Sequence, residues 1–324
     1  MLTRRMALYA GAAVIAASVG LSTGASAEGL KFGFSQVTLQ SPFYVQLRDG
    51  AVAAAEAGGD ELIFLDANGD VSKQNNDIQD LITQGVDVLI INPANADAVA
   101  PSLEAAAAAG IPVITVDRSV KDKFTAHIGR DNKAMGKLVG EAVVAALKEA
   151  GKSGVKIIEI QGDAGGAVMM DRRDGFHAAI EGSGNTIVEG PYAEYVRANA
   201  VVAMQDLLQS NPDVAVVYAH NDDMALGALQ VLQEAGRNDV IVAGVDGLSE
   251  ALDVMGSGGN YVATALNDPQ YLGDVTIQVA RALKNGETVP SFVDAGTAAV
   301  TKANVGGIKH DALFAEYRPV ILKD

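Results

Sequence analysis

Polar side chains follow several apolar, strand-like runs of this chain at the point where each run ends. In 216–229, VVYA gives way to HNDD before apolar residues resume at helical spacing, which predicts a strand, a polar tip and a helix. Three more runs end in the same way, at Asn92, at Asp117 with Arg118, and at Asp246. Ligands of open parallel α/β sheets bind outside the carboxyl ends of the strands, so these side chains are expected to converge on one site. Carboxylates accept hydrogen bonds, guanidinium groups donate them and amides do both, which suits a ligand rich in hydroxyl groups.

Catalytic and metal chemistry find less support in the residue types. The chain has no cysteine, and its four histidines are not at metal-ligand spacing, so no metal and no cofactor is predicted. The GDAGG segment that starts at Gly162 follows a strand but lacks the full spacing of a nucleotide-binding loop. Asp117 and Asp246 could form the carboxylate pair of a glycoside hydrolase. Arg118 is expected to lower the pKa of the adjacent Asp117 carboxyl, which suits a hydrogen-bond acceptor better than a general acid.

Two aromatic residues lie where the first predicted strand gives way to a helix. Ser41 followed by Pro42 is typical of an N-cap and a first helical residue, which puts Phe43 and Tyr44 on the first turn, beside the predicted site. An aromatic face can cover the C–H face of a sugar ring without demanding a particular hydroxyl pattern. A local hydrophobic staple at the helix start is the alternative interpretation.

Apolar strand-like runs alternate with Ala-rich amphipathic segments, which predicts βαβ units and a parallel sheet. The runs fall into two sets of four: LKFGFS, ELIFLDA, VDVLIINP and IPVITVD, then VKIIEIQG, TIVEGPYA, VAVVYAH and VIVAGVD. The 87–117 segment is also similar to the 213–246 segment. This favours two similar doubly wound domains that face each other across a cleft. The alternative is that any α/β chain looks self-similar at this level.

The charge balance limits the partners of the chain. Among 324 residues, 40 are acidic and 24 are lysine or arginine, which gives a formal net charge of −16. A chain this acidic repels nucleic acid and anionic lipid, so neither is predicted as a partner. The absence of cysteine excludes disulfides, so stability has to come from packing.

Residues 1–27 have the pattern of a cleaved export signal. Arg4 and Arg5 precede an apolar, Ala-rich stretch over 6–21, and a small-x-small triplet ends at Ala27. We therefore expect cleavage after Ala27 and a mature chain in the periplasm. A membrane anchor is the competing interpretation, but the stretch is shorter than the roughly 20 residues that a spanning helix needs. The arginine pair leaves twin-arginine export open beside the ordinary route.

Several segments, in order along the chain, resemble one known family. They are SPFYVQLRDGA, INPANADAV, IPVITVDR, HIGRDN, PDVAVVYAHNDDMALGAL and ATALNDPQ. They are similar to the periplasmic sugar-binding proteins of ABC importers, specifically the ribose-binding-like branch. The resemblance implies the type I periplasmic binding protein fold, with two similar doubly wound parallel-sheet α/β domains joined by a three-strand hinge. It also implies an N-terminal domain of 28–130 plus 268–295 and a C-terminal domain of 131–267 plus 296–324.

The same resemblance implies which residues bind a ligand. Phe43, Tyr44 and Tyr195 are expected to sandwich a sugar ring. The residues expected to hydrogen-bond its hydroxyl groups are Asn92, Asp117, Arg118, Asn132, Arg172, Asn221, Asp246 and Asn267.

The chain departs from the ribose binders at three positions of this site. Tyr44 and Val245 stand where the ribose binders have Phe, and Asn267 stands where they have Gln. These changes alter the volume and the polarity of the expected pocket. The FSQV segment at 34–37 resembles the galactofuranose binders. The ligand is therefore left open among a pentose, a hexose, a furanose form and a related polyol.

The function implied by the resemblance is solute capture and not catalysis. A monomer would trap a monosaccharide or polyol between its domains and deliver it to an ABC transporter permease and its ATPase, with a chemoreceptor as a further partner. The crossings near Asn132, near Asn267 and around 294–297 are expected to act as the hinge. A receptor for a furanosyl signal such as an autoinducer, and an exported glycoside hydrolase, are alternatives. A sugar-responsive repressor would need a helix-turn-helix where the export signal lies.

Overall fold

The computed structural model describes residues 29–321. The predicted export signal and its cleavage site lie outside the described residues. The first part of the chain forms β1 (Lys31–Gln36), α1 (Pro42–Ala57), β2 (Glu61–Asp66), α2 (Val71–Thr83), β3 (Val88–Ile91), α3 (Ala100–Ala108), β4 (Val113–Val116) and β5 (Ala126–Gly129).

The rest of the chain repeats this alternation and then returns twice. It forms α4 (Asn132–Glu149), β6 (Lys156–Gln161), α5 (Ala167–Ile180), β7 (Thr186–Tyr192), α6 (Arg197–Ser210), β8 (Val214–Ala219), α7 (Asp222–Glu234), β9 (Ile241–Ala243), α8 (Ser249–Gly256), β10 (Tyr261–Ala265), α9 (Pro269–Lys284), β11 (Phe292–Asp294), β12 (Ala299–Thr301) and a short 3₁₀ helix (Val305–Gly307).

The strands build two six-stranded sheets, one in each of two α/β domains. The first sheet has the order β11-β5-β4-β3-β1-β2, and the second has the order β12-β10-β9-β8-β6-β7. Every pair of neighbours is parallel except β10 and β12, which are antiparallel. The predicted fold class, two doubly wound α/β domains, is confirmed.

Sequence patterns predicted four strands in each domain, whereas the structure has six. The additional strands are β5, β10, β11 and β12, and two of these have only three residues. Segments as short as FVD and AVT are too brief to show a hydrophobic period. Their pairing with a neighbouring strand, and not their own pattern, fixes them in the sheet.

The central strands are buried on both faces, because helices cover each sheet on both sides. All four residues of β3 and all four of β4 are buried. This is why these strands appear in the sequence as continuous apolar runs instead of alternating ones. None of the described helices is long and apolar enough to span a membrane.

Glycines let two pairs of helices pack backbone to backbone. A Cβ atom at Gly136 of α4 would lie 2.1 Å from the carbonyl oxygen of Arg172 in α5, and one at Gly175 would lie 2.0 Å from that of Lys133. Helices α1 and α9 approach in the same way at Gly50. The contact between α4 and α5 is important for the site, because α5 carries Arg172.

The chain passes between the two sheets three times. It leaves the first sheet after β5, returns after β10 and crosses again between β11 and β12. These crossings lie next to Asn132, Asn267 and the 294–297 segment. The domain boundaries and the role of the crossings as a hinge stay predictions.

Candidate functional site

A cavity lies between the carboxyl ends of the strands of both sheets. It has an empty volume of about 250 Å³, which includes solvent space at its open mouth, and its lining comes from both domains. The lining residues are Ser41, Phe43, Tyr44, Asp117, Val168, Arg172, Tyr195, Asn221, Asp246 and Asn267. Eight of these ten are among the residues predicted from the sequence. The other two, Ser41 and Val168, stand directly before α1 and near the start of α5, where no strand-tip pattern marks them.

Aromatic rings form the apolar walls of the cavity. Phe43 and Tyr44 are 6% and 5% exposed, and their rings meet edge to face with centroids 5.6 Å apart. Tyr195 comes from the second domain and has a positive φ of 59°, a strained backbone for a residue with a side chain. Its hydroxyl group is buried without a hydrogen-bond partner in the described structure. Ser41 is the N-cap residue of α1 and Pro42 begins the helix, as predicted, although the Ser41 side chain makes no cap hydrogen bond.

The two aspartates of the site have strained backbones, and Asp246 is fully buried whereas Asp117 is half-buried. Asp117 and Asp246 have positive φ values of 62° and 121°, which few residues with side chains adopt. Burial raises the pKa of Asp246 to about 7, although the Arg172 guanidinium lies only 3.4 Å away. Burial also raises the pKa of Asp117. Arg118 lowers this pKa, as expected, but by less than burial raises it, so the net direction is upward.

Arg172 is held rigidly in the floor of the cavity. Its Nε donates to Asn132 Oδ1 at 2.9 Å, and one terminal nitrogen donates to the carbonyl oxygen of His220 at 2.6 Å. The other terminal nitrogen lies 3.4 Å from Asp246. Asn132, which was predicted to bind the ligand, does not line the cavity and orients Arg172 instead.

Arg118 lies beside the cavity, at an adjoining opening that Tyr44 also lines, and joins the two domains. Its guanidinium stacks near the rings of Tyr44 and Tyr195, at 5.8 and 5.9 Å from their centroids. One terminal nitrogen lies 3.4 Å from a carboxylate oxygen of Asp163, which follows β6 in the second domain. The sequence pattern missed Asp163. Asp163 lies in the GDAGG segment, directly after a strand, and this position at a strand end is the signal that could have identified it.

The two remaining predicted residues differ in their placement. Asn92 is fully buried behind the lining, where its amide lies 3.4 Å from Gln36 Oε1 and its own Oδ1 lacks a partner in the described structure. Asn221 does line the cavity. Its Oδ1 accepts from the backbone N–H of Met224 and so caps α7, while its Nδ2 donates to the carbonyl oxygen of Tyr195 at 3.3 Å.

A buried carboxylate links two histidines behind the site, which the scattered positions of these histidines did not indicate. Glu159 accepts from His220 at 2.9 Å and from His177 at 2.7 Å. Although burial opposes it, these hydrogen bonds lower the pKa of Glu159 to about 2. Ligand atoms of Glu159, His177 and Glu189 lie within 4.8 Å of one another. The spacing of the histidines along the chain could not indicate this grouping, because the three residues come from β6, α5 and β7.

The cavity between two doubly wound domains defines a solute-binding protein, and the chain belongs to the periplasmic binding protein domain family. The match to that family covers residues 32–288. The individual relatives reported below bind small polyhydroxylated solutes and are not enzymes. An ABC transporter solute-binding protein from Mycobacterium smegmatis, solved with bound glycerol, is 60% identical with a TM-score of 0.87, covering 89% of this chain and 100% of that one.

Two curated relatives fit the same picture. The ribose import binding protein of Escherichia coli is 36% identical over 281 residues, 86% of this chain and 93% of the relative. The xylitol-binding protein of Mycolicibacterium smegmatis is 32% identical over 306 residues, 91% of this chain and 86% of the relative. These proteins support the predicted ribose-binding-like branch of the family.

Proposed function

We propose that this protein captures a monosaccharide or a related polyol in the cavity between its two domains and delivers it to an ABC transporter permease. The observation that carries the proposal is the lining itself. One small cavity, lined by residues of both domains, combines aromatic faces, two carboxylates, a fixed guanidinium and two amides. Every hydroxyl group of a polyol both donates and accepts, so this mixture can satisfy all of them at once.

The size of the cavity favours a small solute. The empty volume among the lining residues is only about 250 Å³, and this figure includes solvent space at the open mouth of the cavity, so the room left for a solute is small. The relatives named above bind ribose or xylitol or contain glycerol. A pentose, a pentitol or a small hexose is the class of ligand that suits both observations.

The residues have separate roles in this proposal. Phe43, Tyr44 and Tyr195 contact the apolar faces of the solute. Arg172 donates to its hydroxyl groups and Asp246 accepts from them. Because these groups are buried, a solute with one hydroxyl group misplaced leaves a polar group unpaired, at about 1–3 kcal/mol.

The proposed location is the periplasm, which the export pattern of residues 1–27 and the family both support. The protein would act as a monomer and present its closed form to the permease and its ATPase. Closing around the solute changes the surface that a permease contacts, and this lets a transporter distinguish loaded from empty receptors.

A thermal-shift screen of glycerol, xylitol, D-ribose and D-galactose tests the proposal. A solute at about 100 times its Kd adds about 2.7 kcal/mol of stability, so at least one of these should raise the melting temperature by several degrees. The Arg172→Ala variant should lose the shift, whereas Arg173→Ala, which removes a neighbour paired with Asp174 at the surface, should keep it. A wild-type protein that none of the four solutes stabilises, or an Arg172→Ala variant that keeps the full shift, would contradict the proposal.

A further inference from the structure

Arg130 is a buried cation that contacts all three crossings between the domains. It lies on the first crossing, between β5 and α4, and is only 5% exposed. Its Nε donates to the carbonyl oxygen of Gly296 on the third crossing at 2.7 Å. Its two terminal nitrogens donate to Asn267 Oδ1 and, at 3.0 Å, to the carbonyl oxygen of Asp268, both on the second crossing.

The partners of Arg130 are unusual for a buried guanidinium. All three are neutral oxygens, and no carboxylate in residues 29–321 lies within ion-pair distance of it. Four carboxylates attract it from beyond that distance, those of Asp268, Asp246, Asp117 and Asp294. A buried cation without a directly paired counter-ion is costly, and hydrogen bonds to neutral groups offset that cost only in part. Burial lowers the pKa of Arg130 to about 10, so the group is still protonated at neutral pH. Packing alone would be served at lower cost by an apolar residue.

The contact with Asn267 decides which end of its amide faces the cavity. A guanidinium group only donates hydrogen bonds, so Asn267 has to turn its oxygen towards Arg130. The Nδ2 group of Asn267 is therefore directed to the other side, where it donates to Asp246 Oδ1 at 2.9 Å. Asn267 lines the cavity, so it offers an N–H group and not a carbonyl oxygen to whatever binds there.

We propose that Arg130 is a positioning residue that fixes the polarity of the Asn267 amide and joins the three crossings to the ligand-binding cavity. It acts through Asn267 and Asp246 and does not line the cavity itself. A ligand must then present an acceptor to Asn267 and a donor to Asp246, which selects among epimers. The part of this inference that concerns the ligand rests on the proposed function.

Arg281 provides a matched control for the loss of a multiply bonded arginine. Its Nε donates to Asp60, and one terminal nitrogen donates to the carbonyl oxygen of Ala54 at 2.7 Å. These contacts join α9 to the end of α1 within one domain, away from the cavity. Replacing Arg281 by methionine therefore removes a similar set of hydrogen bonds without changing Asn267.

The first test uses protein without ligand, so it does not depend on the proposed function. In the wild type, the Asn267 side-chain amide should give a pair of ¹H–¹⁵N signals that is protected from exchange with solvent, because both ends of the amide are hydrogen-bonded. Arg130→Met should shift these signals and remove the protection, whereas Arg281→Met should leave them in place. Unchanged Asn267 signals in Arg130→Met would overturn the inference, whatever the ligand is.

The second test measures selectivity by calorimetry with two pairs of epimers, D-ribose with D-arabinose and xylitol with ribitol. Arg130→Met should weaken the preferred member by at least about tenfold and bring its ratio to the epimer close to one. Arg281→Met should keep affinity and ratio within about twofold. Equal losses in both variants, with the ratio retained, would show that Arg130 only stabilises the fold.

A third variant keeps the inference testable where Arg130→Met does not fold. Arg130→Lys keeps the charge, but a single ammonium group cannot contact three separated acceptors as the planar guanidinium does. It should fold and still lose part of the epimer ratio and part of the amide protection. A lysine variant that matches the wild type in both measurements would overturn the inference. If instead the wild type binds none of the four solutes while the amide result holds, the proposed function fails and the role of Arg130 in orienting Asn267 stands.

Discussion

The burial of Asp246 lowers the folding stability of the protein but provides a hydrogen-bond acceptor for a ligand. It is 4% exposed, its backbone is strained, and its pKa is about 7 because burial outweighs the attraction of Arg172. In its ionised form this buried carboxylate is a strong hydrogen-bond acceptor for a hydroxyl group. The same burial means that the folded protein binds a proton more tightly than the unfolded chain does over the acidic range.

The first prediction concerns the pH dependence of stability. The pKa of Asp246 is raised on folding from 3.8 to about 7, so its contribution to stability is fully present below about pH 4 and is lost as the pH rises to about 7. Asp246→Asn should remove this loss. In urea unfolding experiments the variant should gain stability over the wild type as the pH increases, by a few kcal/mol at about pH 8.

Two comparisons make that prediction specific. Asp222 also has a pKa raised by burial, to about 6, but both proteins keep this contribution, so the quantity to follow is the difference between the variant and the wild type at each pH. Asp80→Asn, at an exposed position of α2, should follow the wild type at every pH. A constant difference between Asp246→Asn and the wild type from pH 4 to pH 8 would contradict the assignment.

At the residue level, the sequence predicted the members of the site better than their directions. Polar residues at strand ends, such as Asp117 and Asp246, had to meet at one edge of each sheet, and they do. Arg118 and Asn132 also follow strands, yet neither side chain lines the cavity. Their directions depend on partners that are distant in sequence, Asp163 and Arg172, and no local pattern contains that information.

At the level of elements, the position of Arg172 depends on how closely α4 and α5 approach. Gly136 is in contact with the backbone of Arg172 itself, and Gly175 is in contact with the backbone of α4. These helices can therefore pack only where neither carries a side chain at the contact. The sequence predicts each helix from its period, but the contact between them depends on glycines that look unremarkable in a helical pattern.

The second prediction follows from this contact. In Gly136→Ala the new methyl group would lie 2.1 Å from the Arg172 carbonyl oxygen, so α5 has to move and carry the guanidinium away from Asp246. The variant should lose about 1–3 kcal/mol of stability, measured by urea unfolding, and should bind the solute identified in the screen more weakly.

Gly256→Ala is the matched control for that prediction. Gly256 ends α8, and no atom lies within 4 Å of the position that its Cβ would occupy. Alanine has the higher helix propensity, so this variant should keep its affinity and be neutral or slightly more stable, by up to about 1 kcal/mol. Equal behaviour of the two glycine variants would show that the close approach of α4 and α5 does not position Arg172.

At the scale of the whole molecule, the two domains contact each other across the cleft as well as through the three crossings. Arg118 follows β4 of the first domain and Asp163 follows β6 of the second, and their side chains are only 14% and 15% exposed. A pair shielded in this way is worth more than an exposed one, because water and salt screen it less. Tyr195 adds its ring to the same contact from the second domain.

The sequence predicted the two domains of this protein but not the contact between them. Repeated βαβ patterns predicted two similar halves, since each half follows its own hydrophobic periods. The cross-cleft pair joins residues that are 45 positions apart and belong to different sheets. Such a contact depends on how the finished domains face each other, and this is set by the crossings and not by any single element.

The third prediction is that Asp163→Asn weakens closure of the domains without removing any group from the cavity lining. Arg118 would lose its counter-ion in a partly buried place, so the closed form should be less stable relative to the open form by about 1–2 kcal/mol. Affinity for the solute should fall about five- to thirtyfold, mainly through faster dissociation in stopped-flow measurements, because the association step precedes this contact. Small-angle scattering should show that more solute is needed to reach the compact form.

Asp97→Asn is the control variant. Its pair with Lys121 lies exposed at the surface, with side-chain exposures of 70% and 79%, so it should contribute little. If Asp163→Asn binds and closes as the wild type does, the cross-cleft pair only accompanies closure and does not stabilise it.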